Sequence, residues 1–285
     1  MHLYKTSKGN FIVHENNAYK IDQDWDAIVN HEKLFDYLLG VTTKSEQIEP
    51  ETLKSAIVHH LQVPVGSQEL WAAGVTYLRS RDARMEESKA SGAADCYSQV
   101  YDAERPELFF KALPHRISAH NEPVNIRKDS TWNVPEPELT LLINSNGNIN
   151  GYTVGNDMSS RSIEGENPLY LPQAKMYERC AALGPCIYVP REPISPSTLI
   201  QLDIQRNHQS VFNGEIALDR MKRKHKELVG YLFREFRFPQ GVMLMTGTGV
   251  VPPDDFTLEV GDEVNITIQG IGTLTNTIAT MENSQ

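Results

Sequence analysis

Cysteine is scarce in this sequence, and the few that occur show no paired spacing. Cys96, Cys180 and Cys186 are the only three in 285 residues. Their number is odd and their spacing matches neither a disulfide framework nor a zinc-type cluster. Such cysteine usage is typical of proteins from a reducing compartment.

Long hydrophobic runs are also missing. The longest, such as residues 141–143 and 242–245, fall far short of the roughly 20 apolar residues that span a bilayer. The first residues lack the basic-then-apolar pattern of a secretory leader. We therefore expect a soluble, cytoplasmic protein with no membrane partner.

Positive charge is in deficit. There are 27 Lys and Arg residues against 37 Asp and Glu residues, which gives a formal net charge of −10 and a pI near 5.4. Nucleic-acid binding depends on neutralising backbone phosphates, so a nucleic-acid partner is not expected. A small anionic substrate would need a local cation, supplied by basic side chains or by a metal.

The remaining composition is that of a globular α+β protein made mainly of β-structure. Residues 1–66 form a small N-terminal α/β module in this interpretation, and residues 67–285 form a larger domain of strands and loops, with a junction near residues 63–67. One long helix is predicted at residues 220–236, ended by Pro239. Asn-Gly pairs at residues 146–147 and 213–214 predict two hairpin turns.

Two glutamates stand two residues apart beside prolines. In an extended strand, Glu136 and Glu138 point to the same face, while Leu139, Leu141 and Ile143 point to the opposite one. Two carboxylates this close repel each other unless they are protonated, solvated or bridged by a cation. The alternative interpretation is a solvated acidic strand edge.

A third carboxylate follows a short strand-like segment. Asp157 stands before a hydroxyl-rich turn at residues 159–160, and by itself it would be an ordinary turn or cap residue. Together with Glu136 and Glu138 it makes a three-carboxylate oxygen set. Such a set suits Mg²⁺ or Mn²⁺, with water or substrate in the open positions.

Two further segments are candidates for ligand contacts. Lys175 stands among apolar residues, where it could bind a substrate carboxylate or act as a base with a lowered pKa. The alternative is a surface lysine lying over the core. At residues 246–249 the sequence Thr-Gly-Thr-Gly would let backbone N–H groups approach a ligand, which makes Thr248 a candidate substrate contact.

In their joint order and spacing, these segments resemble the fumarylacetoacetate hydrolase superfamily over about residues 70–280. The matching segments are Gly74-Val75-Thr76-Tyr77, Glu136-Pro137-Glu138, residues 151–161, Lys175, Gly184-Pro185, residues 246–249 and residues 260–274. The resemblance implies a mixed β-sandwich roll. It also implies a divalent metal, here Mg²⁺ with Mn²⁺ as the alternative, held by Glu136, Glu138 and Asp157, with Lys175 as the active-site lysine.

One departure from the family pattern concerns the reaction. Hydrolases of the family usually carry a histidine, the base that activates water, three residues after the tyrosine of the first segment. Here that position is Ser80, and Thr76 replaces the usual asparagine. The absence of this base disfavours hydrolytic C–C cleavage.

Three other segments resemble the branch of the family that dehydrates 2-keto-3-deoxy-D-arabinonate to 2,5-dioxopentanoate. They are residues 86–90, residues 103–111 and residues 163–175. This resemblance implies a small anionic 2-oxo sugar acid as substrate. It favours Glu107 as a water-positioning base and Lys175 as a contact to the substrate carboxylate or developing oxyanion, and we expect Arg79, Ser80 and Arg81 to bind the hydroxylated tail.

Two other functions remain open at this point. One is metal-dependent C–C hydrolysis of an acylpyruvate or 2,4-diketo acid, and the other is a metal-binding or scaffold protein on an inherited enzyme fold. Family members commonly self-associate, so a homodimer or homotetramer is expected.

Overall fold

The chain consists of many strands and several short helices. The computed structural model describes residues 1–87 and 94–282. The strands are β1 (His2–Thr6), β2 (Gly9–His14), β3 (Asn17–Ile21), β4 (Gln47–Ile48), β5 (Glu69–Gly74), β6 (Glu107–Ala112), β7 (Ile117–Ser118), β8 (Val124–Ile126), β9 (Asn133–Val134), β10 (Pro137–Ile143), β11 (Ile149–Asp157), β12 (Ser159–Ser160), β13 (Ala181–Tyr188), β14 (Leu199–Arg206), β15 (Gln209–Ala217), β16 (Val242–Met245), β17 (Glu263–Ile268) and β18 (Gly272–Thr280). The α-helices are α1 (Trp25–Val29), α2 (Leu34–Thr42), α3 (Pro50–His60), α4 (Leu78–Glu87), α5 (Ala94–Asp102), α6 (Arg161–Glu166), α7 (Leu171–Lys175) and α8 (His225–Leu232).

Two large sheets face each other across a hydrophobic core. The larger sheet has the order β4-β3-β2-β1-β13-β11-β10-β16-β5-β6, with β7 paired to β13. The smaller has the order β15-β14-β17-β18-β8. Leu141 and Val154 of the large sheet share one buried cluster with Leu202 and Ile266 of the small sheet. This arrangement confirms the expected mainly-β sandwich.

The N-terminal strands extend the large sheet. Strand β1 pairs antiparallel with β13, so that Leu3 lies opposite Ile187. A second buried cluster joins Leu3 and Ile12 to Leu70 and Met243 of the larger segment. The division at residue 66 therefore crosses a continuous sheet, and two separate domains stay a prediction. No helix of the described residues is long and apolar enough to cross a membrane.

The predicted helix at residues 220–236 is wrong in its bounds. The helix α8 covers His225–Leu232, and Met221 forms an isolated β-bridge with Tyr77 before it begins. After it ends, Phe236 packs against Trp71 with the ring centroids 5.0 Å apart. The apolar residues of the short helix and of the aromatic cluster that follows it have similar spacings in the sequence. The predicted helix was therefore too long.

One of the two predicted hairpin turns is confirmed and the other is misplaced. The turn at residues 144–148 joins β10 to β11 as expected. The second hairpin turns at Asn207 and His208, which both have positive φ, at 51° and 62°, as in a type I′ turn. Gly214 lies inside β15 instead. A Cβ there would approach Val250 Cγ1 to 2.9 Å, so packing accounts for the glycine.

Candidate functional site

Strand pairing brings the three predicted carboxylates together. The β10–β11 register sets Glu138 opposite Gly155, and the Asp157 N–H donates to the Glu136 carbonyl at 3.0 Å. Oxygens of Glu136, Glu138 and Asp157 lie within 4.8 Å of one another. All three residues are buried, and Glu138 is only 1% exposed. Because β10 lies between β11 and β16, the alternative of a solvated strand edge is wrong.

Three buried cations surround two of these carboxylates. Lys175 Nζ donates to Glu136 Oε2 at 2.7 Å and to Asp157 Oδ2 at 3.1 Å. Arg161 Nη2 donates to Glu136 Oε1 at 2.7 Å, and Lys111 Nζ lies 2.5 Å from Asp157 Oδ1. Sequence reasoning assigned no role to Lys111 or Arg161, although both stand inside the segments that carry the family resemblance.

The charge state of Lys175 follows from these contacts. Burial opposes its charge, but Asp157 and Glu136 outweigh that effect and raise the pKa of Lys175 above its ordinary value. The expectation of a base with a lowered pKa is therefore wrong for the metal-free site. Lys175 is a fixed cation in contact with two of the carboxylates.

Glu138 has no cation partner among the described residues. Its Oε2 accepts the Gly247 N–H at 2.5 Å. Burial and the nearby charges of Asp157 and Glu136 raise the pKa of Glu138 well above its usual range. A buried carboxylate next to two other carboxylates is stabilised when it binds a proton or a metal cation. Three carboxylates with one uncompensated charge therefore fit a hard divalent ion such as Mg²⁺ or Mn²⁺.

The glycine-rich segment at residues 246–249 serves the protein's own carboxylate. Gly247 has a φ of +93°, and a Cβ there would lie 2.9 Å from the Ala73 carbonyl oxygen, so glycine is needed for this close approach. The N–H that was expected to face a ligand faces Glu138. Thr248 is buried on the cavity wall, where its hydroxyl donates to the Val250 carbonyl at 3.0 Å.

A small cavity adjoins the carboxylates. Its wall is formed by Ala73, Gly74, Val75, Ser80, Arg84, Phe109, Glu136, Glu138, Asp157, Lys175, Gly247 and Thr248. Val75 has a φ of 53°, which is strained for a β-branched residue and costs about 1–3 kcal/mol. Such strain persists only where the surrounding contacts hold it, as at this cavity.

Glu107 lies beside this cavity, next to its lining residue Gly74. The two residues are paired across β5 and β6, and a Cβ on Gly74 would lie 2.5 Å from Glu107 Cδ. Glu107 forms no ion pair among the described residues, and its buried Oε2 has no hydrogen-bond partner there. Burial raises the pKa of Glu107, although Arg84 opposes that shift. Such a carboxylate is suited to accept a proton.

The three residues predicted to bind the substrate tail differ in their placement. Ser80 is buried on the cavity wall, and its hydroxyl donates to the Tyr77 carbonyl at 2.8 Å. Arg79 is exposed, and Arg81 pairs with Asp82 at 2.7 Å. Neither arginine lines the cavity, so substrate contacts for them stay a prediction without structural support.

Arg84 is the arginine of α4 that reaches the cavity, and sequence reasoning missed it. It lies one helical turn after Ser80, and residues four apart share one helix face. Its guanidinium forms a buried ion pair with the Glu164 carboxylate of α6. The two groups are not aligned for a hydrogen bond. Of the branch-like segment at residues 86–90, residues 88–90 lie outside the described part of the chain.

The sequence profile described as "Fumarylacetoacetate (FAA) hydrolase C-terminal" matches residues 82–279. The chain belongs to the fumarylacetoacetate hydrolase family. This match spans more than half of the chain and includes all three carboxylates. It confirms the family resemblance of the sequence segments, except for the segment at residues 74–77, which precedes it.

Two relatives that are more than 40% identical to this chain are named as dehydratases of 2-keto-3-deoxy sugar acids. A "Probable 2-keto-3-deoxyxylonate dehydratase" of Haloferax volcanii is 48% identical over 223 residues, covering 78% of this chain and 76% of the relative. A "2-dehydro-3-deoxy-D-arabinonate dehydratase" of Saccharolobus solfataricus is 42% identical over 249 residues, covering 86% and 82%.

A solved structure agrees with these relatives. It is described as "2-keto-3-deoxy-D-arabinonate dehydratase complexed with magnesium and 2,5-dioxopentanoate" and superposes with a TM-score of 0.83 at 33% identity, covering 99% of both chains. This likeness extends over the N-terminal strands as well as the family segment.

Proposed function

We propose that this protein is a Mg²⁺-dependent hydro-lyase that dehydrates 2-keto-3-deoxy-D-arabinonate to 2,5-dioxopentanoate. Two similar proteins are named as dehydratases of 2-keto-3-deoxy sugar acids, and a similar solved structure is described as a 2-keto-3-deoxy-D-arabinonate dehydratase complexed with magnesium and 2,5-dioxopentanoate. The observation that carries the proposal is the cavity itself. It combines three buried carboxylates with a serine, Ser80, where a hydrolase of the family would have its histidine.

The ligand set for the metal is Glu136, Glu138 and Asp157, with Mn²⁺ as the alternative ion. A bound Mg²⁺ supplies a Lewis acid that stabilises negative charge on the substrate's 2-oxo group. Among the described residues Glu138 forms no ion pair, and its pKa is raised well above its usual range, which supports this assignment. Arg161 and Lys111 hold Glu136 and Asp157 in place from the protein side.

The proton transfers are assigned to Glu107. As a carboxylate beside the cavity with a buried, unpartnered Oε2 among the described residues, it takes the C3 proton through a water that it positions. The C4 hydroxyl leaves as water once it receives a proton, and the carboxylic acid form of Glu107 can return one. Loss of this water leaves a C3=C4 double bond beside the C5 hydroxyl group. A C5 proton then moves to C3, and the resulting C4=C5 enol tautomerises to the C5 aldehyde. The product is 2,5-dioxopentanoate, one water molecule lighter than the substrate, and Glu107 ends in its starting state.

Lys175 provides a fixed positive charge. The contacts to Glu136 and Asp157 keep it protonated, so it acts as a cation and not as a base. It is positioned to hold the substrate carboxylate or the charge that develops on the 2-oxo oxygen. Ser80 and Thr248, both on the cavity wall, are the remaining candidate substrate contacts.

The competing function is C–C hydrolysis of an acylpyruvate or 2,4-diketo acid. None of the described histidines lines the cavity, which argues against it. The purified protein should convert 2-keto-3-deoxy-D-arabinonate with Mg²⁺ to a product one water lighter, measured by mass. Rapid cleavage of an acylpyruvate without any dehydration would favour the hydrolase instead.

The assembly and the cellular location are proposed with the function. A homodimer or homotetramer is supported by large apolar side chains on the surface, such as Leu169 and Val260, which are 83% and 64% exposed. A cytoplasmic location is supported by Cys180 and Cys186, which are buried free thiols. Size-exclusion chromatography with light scattering measures the oligomeric state.

A further inference from the structure

The charges around the candidate site do not balance in pairs. Four cations meet five carboxylates among the described residues. The cations are Arg84, Lys111, Arg161 and Lys175, and the carboxylates are Glu107, Glu136, Glu138, Asp157 and Glu164. The ion pairs are Arg84 with Glu164, Lys111 with Asp157, Arg161 with Glu136, and Lys175 with Glu136 and Asp157. In the described part of the chain, Glu107 and Glu138 are left without an ion pair.

A metal accounts for Glu138, but Glu107 needs a different explanation. Arg84 lines the same cavity wall as Gly74, the strand partner of Glu107, and of the two cations whose charge acts on Glu107, Arg84 and Lys175, Arg84 has the larger influence. Arg84 nevertheless makes its ion pair with Glu164 on α6, where both side chains are at most 5% exposed. Glu164 therefore holds the cation that would otherwise pair with Glu107.

We propose that Glu164 is a positioning residue that retains Arg84 and thereby keeps Glu107 free of an ion pair and able to accept the substrate proton. This inference rests on the proposed function, in which Glu107 is the base. A guanidinium bound to both oxygens of Glu107 would occupy the lone pairs that take the proton and would stabilise the charged form. Either effect would slow proton abstraction.

The charged groups that act on Glu107 come from four segments. They are Arg84 on α4, Glu164 on α6, Lys175 on α7 and Glu136 before β10. Burial is the largest influence and raises the pKa of Glu107. Arg84 and Lys175 act against it, while Glu164 and Glu136 act with it. Neutralising Glu164 alone should therefore lower the pKa of Glu107 in two ways. It removes a negative neighbour, and it releases Arg84.

The test uses two variants that act in opposite directions on Glu107. In Glu164→Gln, Arg84 should move to Glu107, so that kcat falls about 10–100-fold and the acid limb of the kcat–pH profile moves to lower pH. In the double variant Arg84→Gln/Glu164→Gln the competing cation is absent. Glu107 is then unpaired again, so the acid limb should return to the wild-type position or above it, and kcat should exceed that of Glu164→Gln.

Glu166→Gln is the matched control, because Glu166 is exposed on the same helix. It should leave the profile and kcat unchanged. Mg²⁺ affinity by calorimetry should stay within a fewfold of wild type in all three variants, since none of them changes a proposed metal ligand.

The proposal is overturned if Glu164→Gln loses activity with an unmoved acid limb and the double variant is no more active. That result would mean that the pair only joins α4 to α6. A second readout is independent of turnover: ¹³C-carboxyl NMR of Glu107, identified by its absence in Glu107→Gln, should titrate at lower pH in Glu164→Gln. If the wild-type protein dehydrates no 2-keto-3-deoxy sugar acid, the proposed function fails, whereas the NMR titration still decides whether Glu164 controls Glu107.

Discussion

Replacing Glu138 by Gln should weaken metal binding and stabilise the metal-free protein at once. Gln has the same shape, and its carbonyl oxygen can still accept the Gly247 N–H that Glu138 accepts at 2.5 Å. The carboxylate oxygens of the set lie within 4.8 Å of one another. At that separation two like charges repel by about 3.5 kcal/mol with an effective dielectric constant of about 20. Removing one charge therefore relieves repulsion from both Glu136 and Asp157.

The gain in stability depends on pH in a defined direction. The pKa of Glu138 is raised in the folded state. A group of this kind stabilises the fold fully below its unfolded pKa, and that contribution is lost as pH rises through the folded pKa. The metal-free wild type therefore loses stability over this range, whereas Glu138→Gln does not. Because Lys111, Arg161 and Lys175 offset part of the charge on Glu136 and Asp157, we expect a net gain of about 1–2 kcal/mol above that range.

Magnesium should reverse the order of stability. For a ligand that binds only the folded state, 100 times Kd stabilises by about 2.7 kcal/mol. Wild type should gain this amount with Mg²⁺ and lose it with a chelator, and Glu138→Gln should gain little and lose its turnover. Denaturant unfolding and calorimetry with and without Mg²⁺ measure both effects. Glu178→Gln is the control, since Glu178 is exposed.

Two outcomes would contradict this reasoning. Unchanged Mg²⁺ affinity in Glu138→Gln would remove Glu138 from the ligand set. A metal-free variant less stable than wild type at high pH would mean that the three carboxylates do not repel one another as their distances require. Full wild-type turnover after exhaustive chelation would remove the metal from the mechanism altogether.

Three further predictions concern the other side chains. Glu107→Gln should lower kcat about 10²–10⁴-fold with Mg²⁺ affinity retained; a kcat within threefold of wild type would exclude Glu107 as the base. Gly74→Ala should displace the Glu107 carboxylate, whose Cδ would lie 2.5 Å from the new Cβ, and so reduce kcat at least tenfold with little change in melting temperature; a stability loss without a loss of kcat would contradict this. Lys175→Met breaks a buried ion pair and should lower the free energy of unfolding of the metal-free protein by about 3–5 kcal/mol. Mg²⁺ should restore most of this stability, while kcat remains low. Equal losses of stability with and without Mg²⁺ would count against a shared site.

Local rules of the chain predicted the cluster of three carboxylates and the reaction class. Glu136 and Glu138 share a face because strand side chains alternate with a period of two. The turn at residues 144–148 returns the next strand alongside, which brings Asp157 to the same end. Ser80 in place of a histidine is readable without any coordinates, and it was the reason for predicting dehydration rather than hydrolysis. These features depend on short spacings, or on residue order that the family shares.

Tertiary structure alone decided the charge network and the ends of several elements. Arg84 and Glu164 are 80 positions apart, and Lys111 reaches Asp157 across 46 positions, so no local period relates them. The prediction placed the second hairpin turn at Gly214, whereas the chain turns at Asn207. A glycine needed for packing has the same sequence pattern as one needed for a turn. Burial explains the difference. A charge acquires a partner or a shifted pKa only when folding removes it from water, and the neighbours then available are set by how the sheets and helices pack.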